Sequence, residues 1–395
     1  MSPRPQITWP QPAEFAQRRA RLLEAAQGQG MDGLLLVARG GGTADRYANV
    51  KYATNFYTSF PYIPDEEGHW SGRGHAFVLI APDGASTLVA DMHPEGEDAD
   101  HVDAILVEDD GLGTLAKVIA DAGLSAATIG LAGADILPLS AYRKLHAALP
   151  DVTWPDADAL MNRVRMVKSP AEITLMHHAS WVGSRAIDAM LDAVEVGVTH
   201  RDIMKIGFDM LTSEAGLLYN SFIGSGRGGN DPKSVYHSFP TFKDDTPVEA
   251  GEWFHIGLSG VVNGYYFDLA RSKPVGHSTP AEIEAFEAAI AVVEAGIGAI
   301  KPGKPVGVIA EAAFAKQKAL DFPMSADFAA MGHGVGMGWD SPWLTLDSPE
   351  TLQPGMVLCV ERGLSRQGYT GDFEETVVVT ETGARLLTDA VKRRW

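Results

Sequence analysis

In the last third of the chain, carboxylates stand inside apolar, strand-like runs, and few folds tolerate that. Tyr265-Tyr266-Phe267-Asp268-Leu269-Ala270-Arg271 has an acid in its middle, although Asp is depleted in strands. The run from Gly355 to Gly363, GMVLCVERG, ends its apolar stretch on Glu361, and DFEETVVV at 372–379 puts acids at the start of another. Carboxylates are rarely placed on a buried strand unless they are paired or hold a metal. For Glu361 the plainer alternative is that it opens the next loop and pairs with Arg362. Side chains alternate along a strand, so Glu374 and Thr376 share one face and Glu375 takes the other. One of the two glutamates is expected to be solvated, and Glu375 is assigned that role.

The rest of the chain supplies the elements around these strands. At 395 residues it is too long for one ordinary core and favours two or three domains. The segment 13–30 reads as an amphipathic helix ending at glycines. Apolar runs at 33–40, 76–81, 87–91, 104–108 and 127–132 read as strands, with helices at 113–123 and 139–148. Ser169, Pro170 and Glu172 have the spacing of an N-cap, a first-turn proline and a capping box for a long helix. The boundary is therefore set near 155–160, giving an α/β domain over 1–157 and a second domain over 158–395. In the second half, strands are expected at 253–258, 261–268, 356–361 and 374–380, with helices at 200–215, 280–300 and 305–320. Strands and helices in separated groups indicate an α+β fold rather than a Rossmann alternation.

Composition excludes several function classes. Hydrophobic residues make up 45% and charged residues 21%, a globular balance. A formal net charge of -19 repels phosphate backbones, so nucleic-acid binding is set aside. There is one cysteine, Cys359, so no disulfide can close within the chain, which fits a reducing compartment. No run approaches the roughly 20 apolar residues of a membrane span, and the N-terminus has prolines and charges where a signal peptide needs an apolar run. The expected location is cytoplasmic.

Two histidines join the acids as candidates. His333 lies in Gly332-His333-Gly334-Val335-Gly336, where glycines admit a close approach by a ligand or metal; the plain alternative is a turn with a solvent-facing ring. His237 follows a Gly-rich loop, and a lone histidine there has a structural reading as well as a catalytic one. Three carboxylates with an imidazole suit Mn²⁺, Fe²⁺, Co²⁺ or Zn²⁺, singly or as a bridged pair. Gly224–Gly229 matches GxGxxG in form, but no helical pattern follows it, so the dinucleotide reading fails. His177 and His178 sit on a helix and are assigned to surface or core packing.

The motifs GHGVG, PGMVLCVERG and FEETVVVTETGARLLT, together with the connector VRMVKSPAEITLM, resemble the creatinase/prolidase/aminopeptidase P family of pita-bread fold. The likeness runs from about residue 160 to the end; NVKYATNFYTSF and GRGHAFVLI resemble that family's smaller N-terminal domain more loosely. The resemblance implies a metal-dependent hydrolase whose ligands are Asp, Asp, His, Glu and Glu. Asp268, His333, Glu361 and Glu374 match the last four, while Gly257 stands at the first. His255, two residues earlier, faces the same side as the vacancy. His237 matches the histidine that contacts substrate and assists proton transfer, and Glu361 and His333 join it as catalytic candidates. A second family histidine is replaced around Trp339 and Asp340. By resemblance, the N-terminal patch containing Tyr57, Arg73 and His75 selects substrate, reaching over a partner's site in a homodimer; packing within its own domain is the alternative. The implied activity is hydrolysis of a C–N bond, peptide or amide, in a small substrate such as a dipeptide, nearest to an Xaa-Pro peptidase. A metal-free creatinase-like amidinohydrolase, a metal-dependent lyase and a non-catalytic binding protein on the same fold remain alternatives. Ala270 stands where creatinase has a glutamate, which argues against creatine itself.

Overall fold

Short apolar runs bounded by glycine become strands at both ends of the chain, and contacts divide the protein into two units, Pro10–Arg165 and Met1–Trp9 with Met166–Trp395. The structure is a computed structural model that describes residues 2–40, 44–57, 60–92, 101–226, 233–236, 245, 247–324, 330–366 and 369–395. In the first unit the order is α1 (Pro12–Gln27), β1 (Gly33–Arg39), α2 (Ala48–Thr54), β2 (His75–Ile80), β3 (Ser86–Ala90), β4 (Ala104–Val107), α3 (Gly111–Asp121), β5 (Ile129–Ala132), α4 (Leu139–Ala148) and α5 (Asp158–Met166). Its sheet runs β4-β3-β2-β1-β5, with β1 antiparallel to β2 and parallel to β5. A core of Leu35, Val37, Phe77, Leu115, Ile129 and Leu145 joins the sheet to α3 and α4.

The second unit contains α6 (Pro170–Asp192), α7 (His200–Ser213), β6 (Leu217–Gly226), β7 (Lys233–Tyr236), β8 (Trp253–Val262), β9 (Tyr265–Pro274), α8 (Pro280–Ala299), α9 (Val308–Ala319), β10 (Gly332–Val335), β11 (Trp339–Trp343), β12 (Val357–Arg366), β13 (Tyr369–Val379) and β14 (Ala384–Leu386). The strands form one sheet in the order β11-β10-β12-β13-β9-β8-β6-β7, with β14 on β13. Ser169 caps α6 as expected: its hydroxyl accepts from Glu172 N at 3.1 Å, and the Glu172 carboxylate accepts from Ser169 N at 2.9 Å. Among the described residues, no helix is long and apolar enough to cross a membrane.

One expected strand is corrected. The run assigned to 261–268 is split by a hairpin turn, with Asn263 at φ 57° and Gly264 at φ 80°. Two left-handed residues are what a tight turn between twisted strands requires, so β8 ends at Val262 and β9 begins at Tyr265.

Period two then separates two layers. Phe254, Ile256, Leu258, Phe267 and Leu269 pack with residues of α6 and α7. Leu358, Val360, Phe373, Val377 and Val379 pack with residues of α8 and α9. The alternate residues of the same four strands face the other way, and these include Asp268, Glu361, Glu374, small residues and Cys359.

Candidate active site

The register of the sheet assembles the site. Glu361 on β12 is directly opposite Glu374 on β13, and Glu374 is opposite Ala270 on β9. Asp268 is two residues from Ala270, and Cys359 two from Glu361, so the side chains of Asp268, Cys359, Glu361 and Glu374 lie on the face opposite the helices. On the far side of β12, His333 pairs with Cys359. Donor atoms of Asp268, His333, Cys359 and Glu374 lie within 4.8 Å of one another, and all four residues are buried.

The glycines beside His333 serve backbone packing. Gly332–Val335 is a buried strand rather than an open turn. A Cβ on Gly332 would collide with the Cys359 carbonyl oxygen, and one on Gly334 with that of Ser341. The His333 ring is 2.9 Å from the Gly334 carbonyl through Nδ1. A carbonyl only accepts, so Nδ1 carries the proton, and Nε2 of the neutral ring is left as a lone pair, 3.9 Å from Asp268 Oδ2. Burial lowers the His333 pKa, against the opposing pull of the Gly334 carbonyl and Asp340, and so favours that neutral form.

Bringing acids together off water raises their proton affinity. Asp268 is pushed well above the carboxylate range by burial and by the charge of Glu361, opposed by hydrogen bonds from Trp339 and others. Glu374 is raised by burial and by Asp268, Glu361 and Asp372, against the pull of Arg271. Burial and the Asp372 charge lift Glu361 to about 7, with Arg362 opposing. Glu374 Oε1 is buried with no hydrogen-bond partner among the described residues. Clustered like charges, an orphaned carboxylate oxygen and an imidazole lone pair aimed among them form a donor set that fits a divalent cation.

The other predicted residues lie as follows. His255 is on the same face, but its ring is held elsewhere: Nδ1 is 3.0 Å from Ser272 Oγ and Nε2 is 3.3 Å from Asp372 Oδ2. It does not join the compact four-donor group. Burial pulls Asp372 upward, but the hydrogen bond and charge of His255 outweigh it and hold that carboxyl low. Gly257 sits on the site face opposite Ala270. His237 lies outside the described residues, as does the end of the Gly224–Gly229 loop; its start belongs to β6. In the N-terminal unit, Arg73 lies 3.6 Å from Asp91 and over the Trp70 ring, and Tyr57 is 40% exposed with its ring edge-on to Tyr47. His75 is 2% exposed and stacked on Phe77, a packing position within this unit.

Glu375 corrects the sequence reading. It is 1% exposed rather than solvated, because it faces the helix layer, where Arg271 meets it at 2.8 Å and Thr388 donates to it. Arg271 also donates to the Glu374 carbonyl at 2.6 Å, which ties this ion pair to the backbone of the site.

Three site residues escaped the sequence. Trp339 donates from Nε1 to Asp268 Oδ2 at 2.8 Å, and its ring, with that of Trp343, flanks His333. In the sequence its place is marked only by the family resemblance, as a position where a histidine is replaced. Cys359 and Asp372 each precede a recognised glutamate by two, so strand periodicity would have found both.

Fold and site together define a pita-bread protein with a creatinase-like N-terminal unit and a candidate metal centre. The chain belongs to metallopeptidase family M24, whose profile it matches over residues 174–381; residues 18–167 match the creatinase/prolidase N-terminal domain. It is 27% identical over 268 residues to the ectoine hydrolase of Halomonas elongata, covering 63% of this chain and 64% of that relative. The match thus spans less than two thirds of that relative's length. Among solved structures, the Xaa-Pro dipeptidase of Bacillus anthracis superposes with a TM-score of 0.78 at 19% identity, covering 96% of this chain and 99% of that one. The X-Pro aminopeptidase of Thermotoga maritima gives 0.76 at 20%, covering 95% and 99%. At these identities the likeness of structure establishes the fold alone.

Proposed function

We propose that the chain hydrolyses a C–N bond in a small substrate, nearest to an Xaa-Pro dipeptide, with one or two divalent ions (Mn, Zn, Co or Fe) held by Asp268, His333, Glu361 and Glu374. The observation that carries this reading is the convergence of Asp268, His333 and Glu374 on one buried sheet face, with Glu361 directly opposite Glu374. Membership of a metallopeptidase family, a relative named for hydrolysis and structural neighbours named for Xaa-Pro substrates support it.

When bound, a divalent ion supplies Lewis acidity that polarises a carbonyl and makes water a nucleophile near neutral pH. The protein does the rest. Trp339 fixes the Asp268 carboxylate, and the Gly334 carbonyl fixes the imidazole tautomer of His333. Glu361 accepts the proton of the attacking water and passes it to the leaving nitrogen. His237 carries the role implied by the family resemblance, contact with substrate and help in proton transfer. Tyr57 and Arg73 keep their place in this reading as substrate-selecting candidates, while His75 packs within its own unit, in a protein expected to act in the cytoplasm as a homodimer.

The test is turnover of a panel of Xaa-Pro dipeptides and guanidino or amide substrates, before and after chelation. Glu361→Gln should lower kcat about 10²–10⁴-fold with the fold intact, as loss of a general base does. Full activity with no bound metal would move the chain to the metal-free reading. Background turnover of every substrate by both proteins would leave a binding protein.

A further inference from the structure

Cys359 is fully buried, and a buried cysteine ordinarily behaves as a small apolar side chain. Its surroundings here are not apolar. Its sulfur lies within 4.8 Å of donor atoms from Asp268, His333 and Glu374. His333 is its direct partner across the β10–β12 ladder. Thr376 Oγ1 is 3.4 Å from the sulfur, and that hydroxyl already donates its one proton to the Asp268 carbonyl at 2.6 Å. The thiol therefore donates toward Thr376, and its lone pairs remain on the side of the cluster. A second observation points to an occupant: Glu374, 4% exposed, has an Oε1 with no hydrogen-bond partner among the described residues.

We infer that Cys359 is a sulfur ligand of the centre, beside Asp268, His333 and Glu374, and that it selects zinc-like ions over manganese or magnesium. This rests on the metal reading above and adds to it the identity of one ligand and the class of ion. On binding, the S–H bond breaks, the proton leaves to solvent, and the sulfur lone pair bonds to the cation, with no change of oxidation state. Thiolate, imidazole and carboxylate are the donor types that zinc sites use. Thiolate favours Zn²⁺, Co²⁺ or Fe²⁺, whereas an all-oxygen and imidazole set leaves Mn²⁺ competitive.

The experiment is titration of the chelator-stripped full-length protein with Co²⁺ alone, followed by absorption. One equivalent should produce visible ligand-field bands and a near-ultraviolet sulfur-to-cobalt charge-transfer band, both erased by Zn²⁺. Cys359→Ser should keep the visible bands and lose the charge-transfer band. Its preference for Zn²⁺ over Mn²⁺ should fall roughly tenfold or more. If that variant does not fold, zinc-edge X-ray absorption of the unaltered protein replaces it, with one sulfur expected at about 2.3 Å. Stoichiometric cobalt with ligand-field bands but no charge-transfer band, or a zinc shell without sulfur, overturns the role of Cys359 and leaves the metal reading standing. No binding of either ion by calorimetry overturns the metal reading itself.

Discussion

Removing Glu375 should destabilise the C-terminal unit severely, although the residue touches no substrate. Glu375 and Arg271 are each 1% exposed and meet at 2.8 Å. At an effective dielectric of about 20, two unit charges that close attract by ~6 kcal/mol before desolvation is counted. In Glu375→Ala the guanidinium stays buried without its counter-charge. It keeps the carbonyls of Ala270, Glu374 and Ala390 and the face of the Phe373 ring, which offset part of the loss. The expected net cost is about 3–5 kcal/mol, the usual result of breaking a buried pair on one side. For a unit of this size that is roughly 6–20 °C in melting temperature, measured by calorimetry or by urea unfolding followed through tryptophan fluorescence. The double change Arg271→Met with Glu375→Leu should recover most of it, because a well-packed apolar pair replaces the ion pair. A loss under about 1 kcal/mol for Glu375→Ala, the value of an exposed pair, would refute the burial argument and restore the solvated glutamate.

Three further outcomes follow from other parts of the structure. Saturating Zn²⁺ or Mn²⁺, at about 1,000 times its Kd, should stabilise the stripped protein by ~4 kcal/mol, visible as a rise in melting temperature that Glu374→Gln removes; equal melts with and without the ion would refute it. Trp339→Phe takes away the indole donor to Asp268 while keeping a ring against His333, so kcat should fall about tenfold, roughly the worth of a hydrogen bond to a charged group, with melting unchanged. Burial lowers His75 to about 4, with Arg39 adding to the effect. The unfolded chain therefore binds the extra proton between pH 6.5 and 4, and stability falls by about 3 kcal/mol as pH drops through that window; the melts of His75→Phe should lack this dependence.

The site was legible in the sequence wherever it depended on alternation along one strand. Asp268, Glu361 and Glu374 stand out because an acid inside an apolar run needs a partner, and the ladder places the last two opposite each other. The glycines around His333 marked a special backbone, but their reason is the approach of the Cys359 and Ser341 carbonyls rather than room for a ligand. The turn at Asn263-Gly264 was equally visible in the residues, and the strand drawn through it gave apolar character precedence over turn chemistry.

The sequence by itself determined the two-part organisation, the α+β class and the residues that alternate toward a common face, because each is a local consequence of periodicity and composition. Only the tertiary structure decided which strands are neighbours. That choice puts Cys359 beside His333, aims Trp339 at Asp268, turns His255 to Asp372 and gives Glu375 a buried arginine. Contacts across a sheet join residues dozens of positions apart, and no local preference encodes them; they follow from the order in which the strands hydrogen-bond.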